Sequence, residues 1–180
     1  LGRTTKILRE NSSVFLAQDW SPRVETAADS IWVNAWPGRE KTLFTVYNLR
    51  PEGWSGPLFR VRADTARVHA VDLWHHEEVP MHARGDSIAP VTTADGFNRA
   101  WLQTRREGSI DCIALFPRLL SVHLDQDSLT VGASAGTRVV LWAGAPSYGA
   151  RSASFDTRQR TVSLFATLGR HEEKVVVQLF

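Results

Sequence analysis

Between residues 31 and 49 the chain reads IWVNAWPGREKTLFTVYNL, two runs of alternating β-branched, aromatic and polar residues on either side of a Pro-Gly loop. That pattern predicts an antiparallel hairpin. Pairing Trp36 with Lys41 across a four-residue loop puts Ile31, Val33, Ala35, Thr42, Phe44 and Val46 on one nearly apolar face. The opposite face carries Trp32, Asn34, Trp36, Lys41, Leu43, Thr45 and Tyr47, an aromatic surface with polar gaps. The first face reads as core. The second reads as a binding platform or as a surface covered by another part of the molecule.

Further strand-like runs follow at 58–61, 68–74, 87–91, 100–104, 110–116 and 120–124, punctuated by Gly, Pro and Asp. Their spacing suits an antiparallel sandwich, and no long helical periodicity competes with it. After Ser128 come runs at 129–131, 138–143, 161–168 and 174–180, with a Gly-, Ser-, Ala- and Arg-rich loop at 144–160 that holds one short strand around Phe155. The last run, KVVVQLF, is apolar on both faces and is expected in the middle of a sheet. Four or five strands do not easily close a sandwich, so the second part is expected to be half of a larger sandwich or a truncated immunoglobulin-like unit. Upstream, RTTKILRE predicts a short helix ended by Asn11-Ser12-Ser13, and Phe15, Leu16 and Trp20 form an apolar connector expected to pack on something. The predicted architecture is all-β: helix and connector over 1–22, an antiparallel β-sandwich over 23–125, and a smaller immunoglobulin-like β unit over 126–180.

Composition narrows the function classes. Apolar residues make up 43% and charged residues 22% of the 180, which are ordinary globular values. The chain is long enough to bury a core without disulfides or metals. Net charge is +2, and the 21 basic residues, of which only Lys6, Lys41 and Lys174 are lysines, are scattered among 19 acids. No basic stripe forms, so nucleic acid is not an expected partner. There is no membrane-length apolar run and no signal peptide, so a membrane is not expected either. The chain starts at Leu1 without Met and ends in a strand-like run, which reads as a piece of a longer protein, so missing targeting signals carry nothing. Cys112 is the only cysteine and lies in an apolar run, so it reads as a buried, inert thiol.

Candidate chemistry is sparse. His69, His75, His76 and His82 fall close together beside Glu77 and Glu78, but His75 and His76 point to opposite sides of a strand and Pro80 argues against a helix. Gly132-Ala133-Ser134-Ala135-Gly136 matches a nucleophile-elbow pattern, yet a strand-like run follows it where the elbow needs a helix. Arg84-Gly85-Asp86 reads as a turn, and Asn11-Ser12-Ser13 as a glycosylation pattern relevant only to a secreted eukaryotic protein. Glu77/Glu78 and Asp125/Asp127 do not face each other across a cleft as glycosidic carboxyls must. No catalytic residue, metal ligand or cofactor is assigned. The strongest candidates are aromatic: Trp32, Trp36 and Tyr47, with Trp54 and Trp74 as alternatives, could stack on the C–H faces of sugar rings. The competing expectation, which is favoured, is that the segment around Phe15 and Trp20 covers this face.

The succession VNAWPGREKTLFTVYN, GPLF, VHAVDLWHHEE and IDCIALFPR resembles the β-sandwich domain that follows the catalytic TIM barrel in several glycoside-hydrolase-like proteins. Tyr47-Asn48, Asp72-Leu73-Trp74 and Cys112-Ile113-Ala114 carry the likeness, and KILRENSSVF resembles the barrel's last helix entering the sandwich. The resemblance implies a non-catalytic accessory domain of a carbohydrate-active enzyme, partnered by the catalytic domain of the same parent chain and secreted or periplasmic. A carbohydrate-binding module using exposed Trp and Tyr is the alternative.

Overall fold

A computed structural model describes residues 2–84, 87–94, 110–133, 135, 138–147, 149–169 and 175–179. The strand expected over 100–104, and parts of the Arg84-Gly85-Asp86 and Gly132–Gly136 motifs, lie outside the described residues.

The chain is all-β with short helices. Helix α1 (Gly2–Glu10) ends where Asn11 donates both its backbone N–H and its side-chain Nδ2 to the carbonyl of Ile7, at 3.1 and 2.8 Å. A single turn, α2 (Ser12–Phe15), follows. Strands β1 (Ser21–Val24), β2 (Ile31–Pro37), β3 (Thr42–Asn48), β4 (Trp54–Pro57), β5 (Val68–Asp72), β6 (Glu77–Val79), β7 (Met81–Arg84), β8 (Ser87–Ala94) and β9 (Ile110–Pro117) build the first unit. Its larger sheet has the order β1-β2-β3-β9-β5-β6 and its smaller one β4-β8-β7. The pairings are antiparallel.

In the β2-β3 hairpin Trp36 pairs with Leu43 and Pro37 with Thr42, two residues away from the Trp36–Lys41 pairing expected from the sequence. A slip of two conserves the side-chain faces, because orientation along a strand repeats every second residue. Ile31, Val33, Phe44 and Val46 therefore still share one buried face, and with Leu58, Phe59, Ala70 and Ile113 they form the core between the two sheets. The reverse face of the larger sheet buries Leu43, Val71, Leu73, Ala114 and Phe116 beneath Ile7 and Val14 of the two helices. Central strand β9 is buried from Asp111 to Pro117, which explains its nearly unbroken apolar run.

The second unit comprises β10 (Leu119–Asp125), β11 (Ser128–Ala133), β12 (Arg138–Ala143), β13 (Ser152–Asp156), β14 (Thr161–Ser163), helix α3 (Leu164–Leu168) and β15 (Val175–Leu179). Two three-stranded sheets, β10-β11-β14 and β13-β12-β15, enclose Leu129, Val131, Val139, Leu141, Phe155 and Leu168. The expectation of too few strands is corrected by β10, which the sequence reading placed in the first sandwich but which pairs with β11. The expected strand over 161–168 turns helical after Ser163. Asp127, in the β10-β11 turn, accepts hydrogen bonds from Ser163 Oγ and from the backbone N–H of Phe165, and its carbonyl takes the N–H of Leu164. The middle position expected for KVVVQLF belongs instead to β12: Val139 and Leu141 face the unit's own core, while Val140 and Trp142 are buried on the opposite face.

Helix α1 lies between the two units. Ile7 packs into the first, Lys6 places its ammonium 5.1 Å from the Trp142 ring centroid, and Glu10 approaches Arg138 at 4.0 Å. Among the described residues no helix is long and apolar enough to cross a membrane.

Candidate functional site

The aromatic face of the hairpin divides into a closed end and an open end. At the closed end, the Trp20 ring stacks on Trp36 at 5.1 Å, and Phe15 meets it edge-on at 5.3 Å. The indole Nε1 of Trp36 donates to Thr45 Oγ1 at 3.1 Å. The connector thus covers Trp36 and removes it from any exposed platform. We expect Trp36→Ala to cost about 3 kcal/mol, since a large ring is lost from beneath two others. Equilibrium denaturation checks this, and retention on any ligand of the open end should not change.

At the open end, Trp32 and Tyr47 are direct cross-strand partners and stack with ring centroids 5.9 Å apart. They remain 41% and 42% exposed, and Leu8 of α1 and Ile110 of β9 beside them are 48% and 44% exposed. Together with Trp74 and Cys112 these residues line a pocket of about 270 Å³. Thr4, Asn34, Thr45 and Asp111 also line it, and the last three are engaged internally. Asn34 Oδ1 accepts from the backbone N–H of Arg23, and Thr45 Oγ1 accepts from Trp36. Cys112 is buried, and burial pushes its thiol pKa up, so it is an inert wall of the pocket.

Trp74 is set in place by a buried polar cluster. Asp72 ends β5, and its Oδ1 accepts the backbone N–H groups of Trp74 and His75 at 2.7 and 2.8 Å, a turn that Asp forms readily. Its Oδ2 meets His75 Nδ1 at 2.6 Å. Asp111, one strand away on β9, holds the backbone N–H of Cys112 at 2.6 Å, and ligand-type atoms of Asp72, His75 and Asp111 lie within 4.8 Å of one another. Burial, then the charge of Asp72 and the hydrogen bond to it, raise the Asp111 carboxyl to about 8. For Asp72 burial is the largest single effect and acts upward, but hydrogen bonds from His75, Asp111 and the backbone outweigh it and lower the pKa. The result is an ionised Asp72 beside a protonated Asp111. The same donors could take a small cation once that proton leaves.

The five aromatic candidates therefore part company. Trp32, Tyr47 and Trp74 converge on the pocket, Trp36 lies under the connector, and Trp54 stands elsewhere, with its Nε1 donating to the Gly56 carbonyl at 3.1 Å and Arg50 5.7 Å over its ring. The histidines disperse likewise. His69 is buried near Phe116, His75 binds Asp72, His76 packs on Trp142, and His82 is exposed on β7. The Asp72/Asp111 pair escaped the sequence reading, although a lone acid inside an apolar strand run, as in Ile110-Asp111-Cys112, was its visible signal. Comparison with known protein families, with curated proteins and with solved structures finds no match.

Proposed function

We propose that this chain is a non-catalytic accessory β-module of a carbohydrate-active enzyme, packed against a catalytic domain of the same parent protein. The observation that supports this reading is the open pocket itself. Its exposed wall of Leu8, Trp32, Tyr47 and Ile110 is apolar, while the hydrogen-bonding atoms of Asn34 and Thr45 that reach it have internal partners. A surface of that kind favours burial against another apolar surface. The sequence resemblance to sandwich domains that follow a TIM barrel supplies the identity of the partner.

The test is calorimetric titration of the chain with the separately expressed catalytic domain of its parent. Trp32→Ala and Tyr47→Ala should each weaken association by about tenfold or more, as for a central aromatic anchor. Undiminished association in both variants, or a parent without a barrel-like domain, would overturn the proposal.

One observation favours sugar binding at the same pocket as a second reading. The Trp74 Nε1 donor is buried without a partner among the described residues, and the Trp32-Tyr47 pair offers a stacking wall beside it. Retention of the chain on insoluble polysaccharide, abolished by Trp32→Ala, is the outcome that would select this reading.

A further inference from the structure

A second cleft opens where α1 meets the second β unit, sharing Ile7 with the aromatic pocket. It measures about 100 Å³ and is lined by Arg3, Lys6 and Glu10 of α1, His76 of the turn after β5, Arg138 and Trp142 of β12, and Asn11, Ser152 and Ser154, with the apolar Ile7, Leu73, Val140 and Ala153 among them. Arg3, Lys6 and Arg138 are cationic, Glu10 approaches Arg138 at 4.0 Å, and the Arg3 guanidinium lies 5.2 Å from the Trp74 ring centroid. Lys6 rests over the Trp142 ring, and His76 packs against the same indole with ring centroids 5.2 Å apart.

Two buried polar atoms in this wall have no partner among the described residues: His76 Nε2 and Asn11 Oδ1. Buried polar atoms ordinarily find partners, so a pair of orphans in one cleft marks a missing group. They differ in kind. Asn11 is only 3% exposed, and its Nδ2 is committed to the Ile7 carbonyl, which fixes Oδ1 as an acceptor. His76 sits among cations. Burial first, then the charges of Lys6 and Arg3, lower its pKa, so its ring is neutral and able to present an N–H from Nε2.

We propose that this cleft binds a phosphate group carrying a proton. The negative oxygens would be met by Lys6, Arg3, Arg138, the Ser152 and Ser154 hydroxyls and the His76 ring. The P–OH would donate to Asn11 Oδ1, the one feature of the site that a fully ionised oxyanion cannot satisfy. The cleft, about 100 Å³, has room for a phosphate group. The site is assembled from α1, the 72–76 turn and the second unit, so its occupant would tie the three together.

Isothermal titration calorimetry of the intact chain with inorganic phosphate, in a chloride buffer of constant ionic strength near neutral pH, tests the proposal. Saturable one-to-one binding is expected, accompanied by a change in Trp emission, with sulfate at least tenfold weaker because it has no proton to donate. Lys6→Met keeps the stem over Trp142, and His76→Asn keeps a residue that tolerates the positive φ of 61° at this position. Each variant should lose at least tenfold in phosphate affinity. Absence of saturable phosphate binding, sulfate binding equal to phosphate, or wild-type affinity in either folded variant would overturn the assignment.

Discussion

Trp142→Ala is expected to destabilise the chain more than any other single truncation considered for this protein, by about 4 kcal/mol, the range for losing a fully buried large aromatic side chain. Trp142 is 2% exposed on the outer face of β12. Three contacts end with it. Its Nε1 donates to Gln178 Oε1 at 2.8 Å, its face receives the Lys6 ammonium, and His76 packs against its ring. Gln178 is itself buried, so its freed amide oxygen adds the desolvation cost of an unpaired polar group to that of the cavity. Thermal unfolding should move down by roughly 10 °C for a chain of this size. Trp142→Phe separates the two contributions, since it keeps most of the ring and loses the donor. A Trp142→Ala variant melting within a degree or two of the parent would show that α1 and the second unit are not held through this side chain.

The second large effect concerns pH. Asp111 has a folded-state pKa raised from 3.8 to about 8, so between those values the folded state binds more protons than the unfolded state. Stability therefore falls as pH rises through that interval, at up to about 1.4 kcal/mol per pH unit, and levels off above it. Asp72 acts in the opposite sense. Its lowered pKa stabilises the fold above the ordinary carboxylate value, and that contribution is lost as pH falls through the folded-state pKa. Asp111→Asn keeps a donor for Asp72 without the penalty of ionisation. It should be more stable than the parent at pH 9, by on the order of 2 kcal/mol, with the advantage shrinking toward pH 4. Chemical denaturation at a series of pH values reads this directly. A constant difference between the two proteins across the series would mean that Asp111 does not hold its proton in the fold.

The sequence revealed faces better than it revealed neighbours. The inward set of the hairpin, Ile31, Val33, Phe44 and Val46, was legible because a two-residue period survives a two-residue register slip. The all-β class was legible for the same reason. Strand partnership was not. Leu119–Asp125 carries no local mark of joining β11, since pairing depends on which surface needs covering and not on the strand's own pattern. The end of the 161–168 run was hidden because Asp127, which caps the helix that replaces it, lies 36 residues before Ser163. At the candidate pocket, the shared face of Trp32 and Tyr47 was legible, while Trp36 of that same face lies under the connector and Trp74 joins the pocket through a turn that only Asp72 explains. The Asp72–Asp111 pair required knowing that β5 and β9 are neighbours, and no local pattern encodes that.

The passage from β9 to β10 takes one residue, Arg118, between Pro117 and Leu119. Its backbone N–H donates to the Arg67 carbonyl at 2.8 Å, and its guanidinium approaches Val68 O at 3.4 Å and Glu78 at 3.9 Å. Mechanically this is a clamped joint without slack. With its backbone N–H and its guanidinium both engaged, Arg118 joins the two β units by a short, hydrogen-bonded step in place of a free linker.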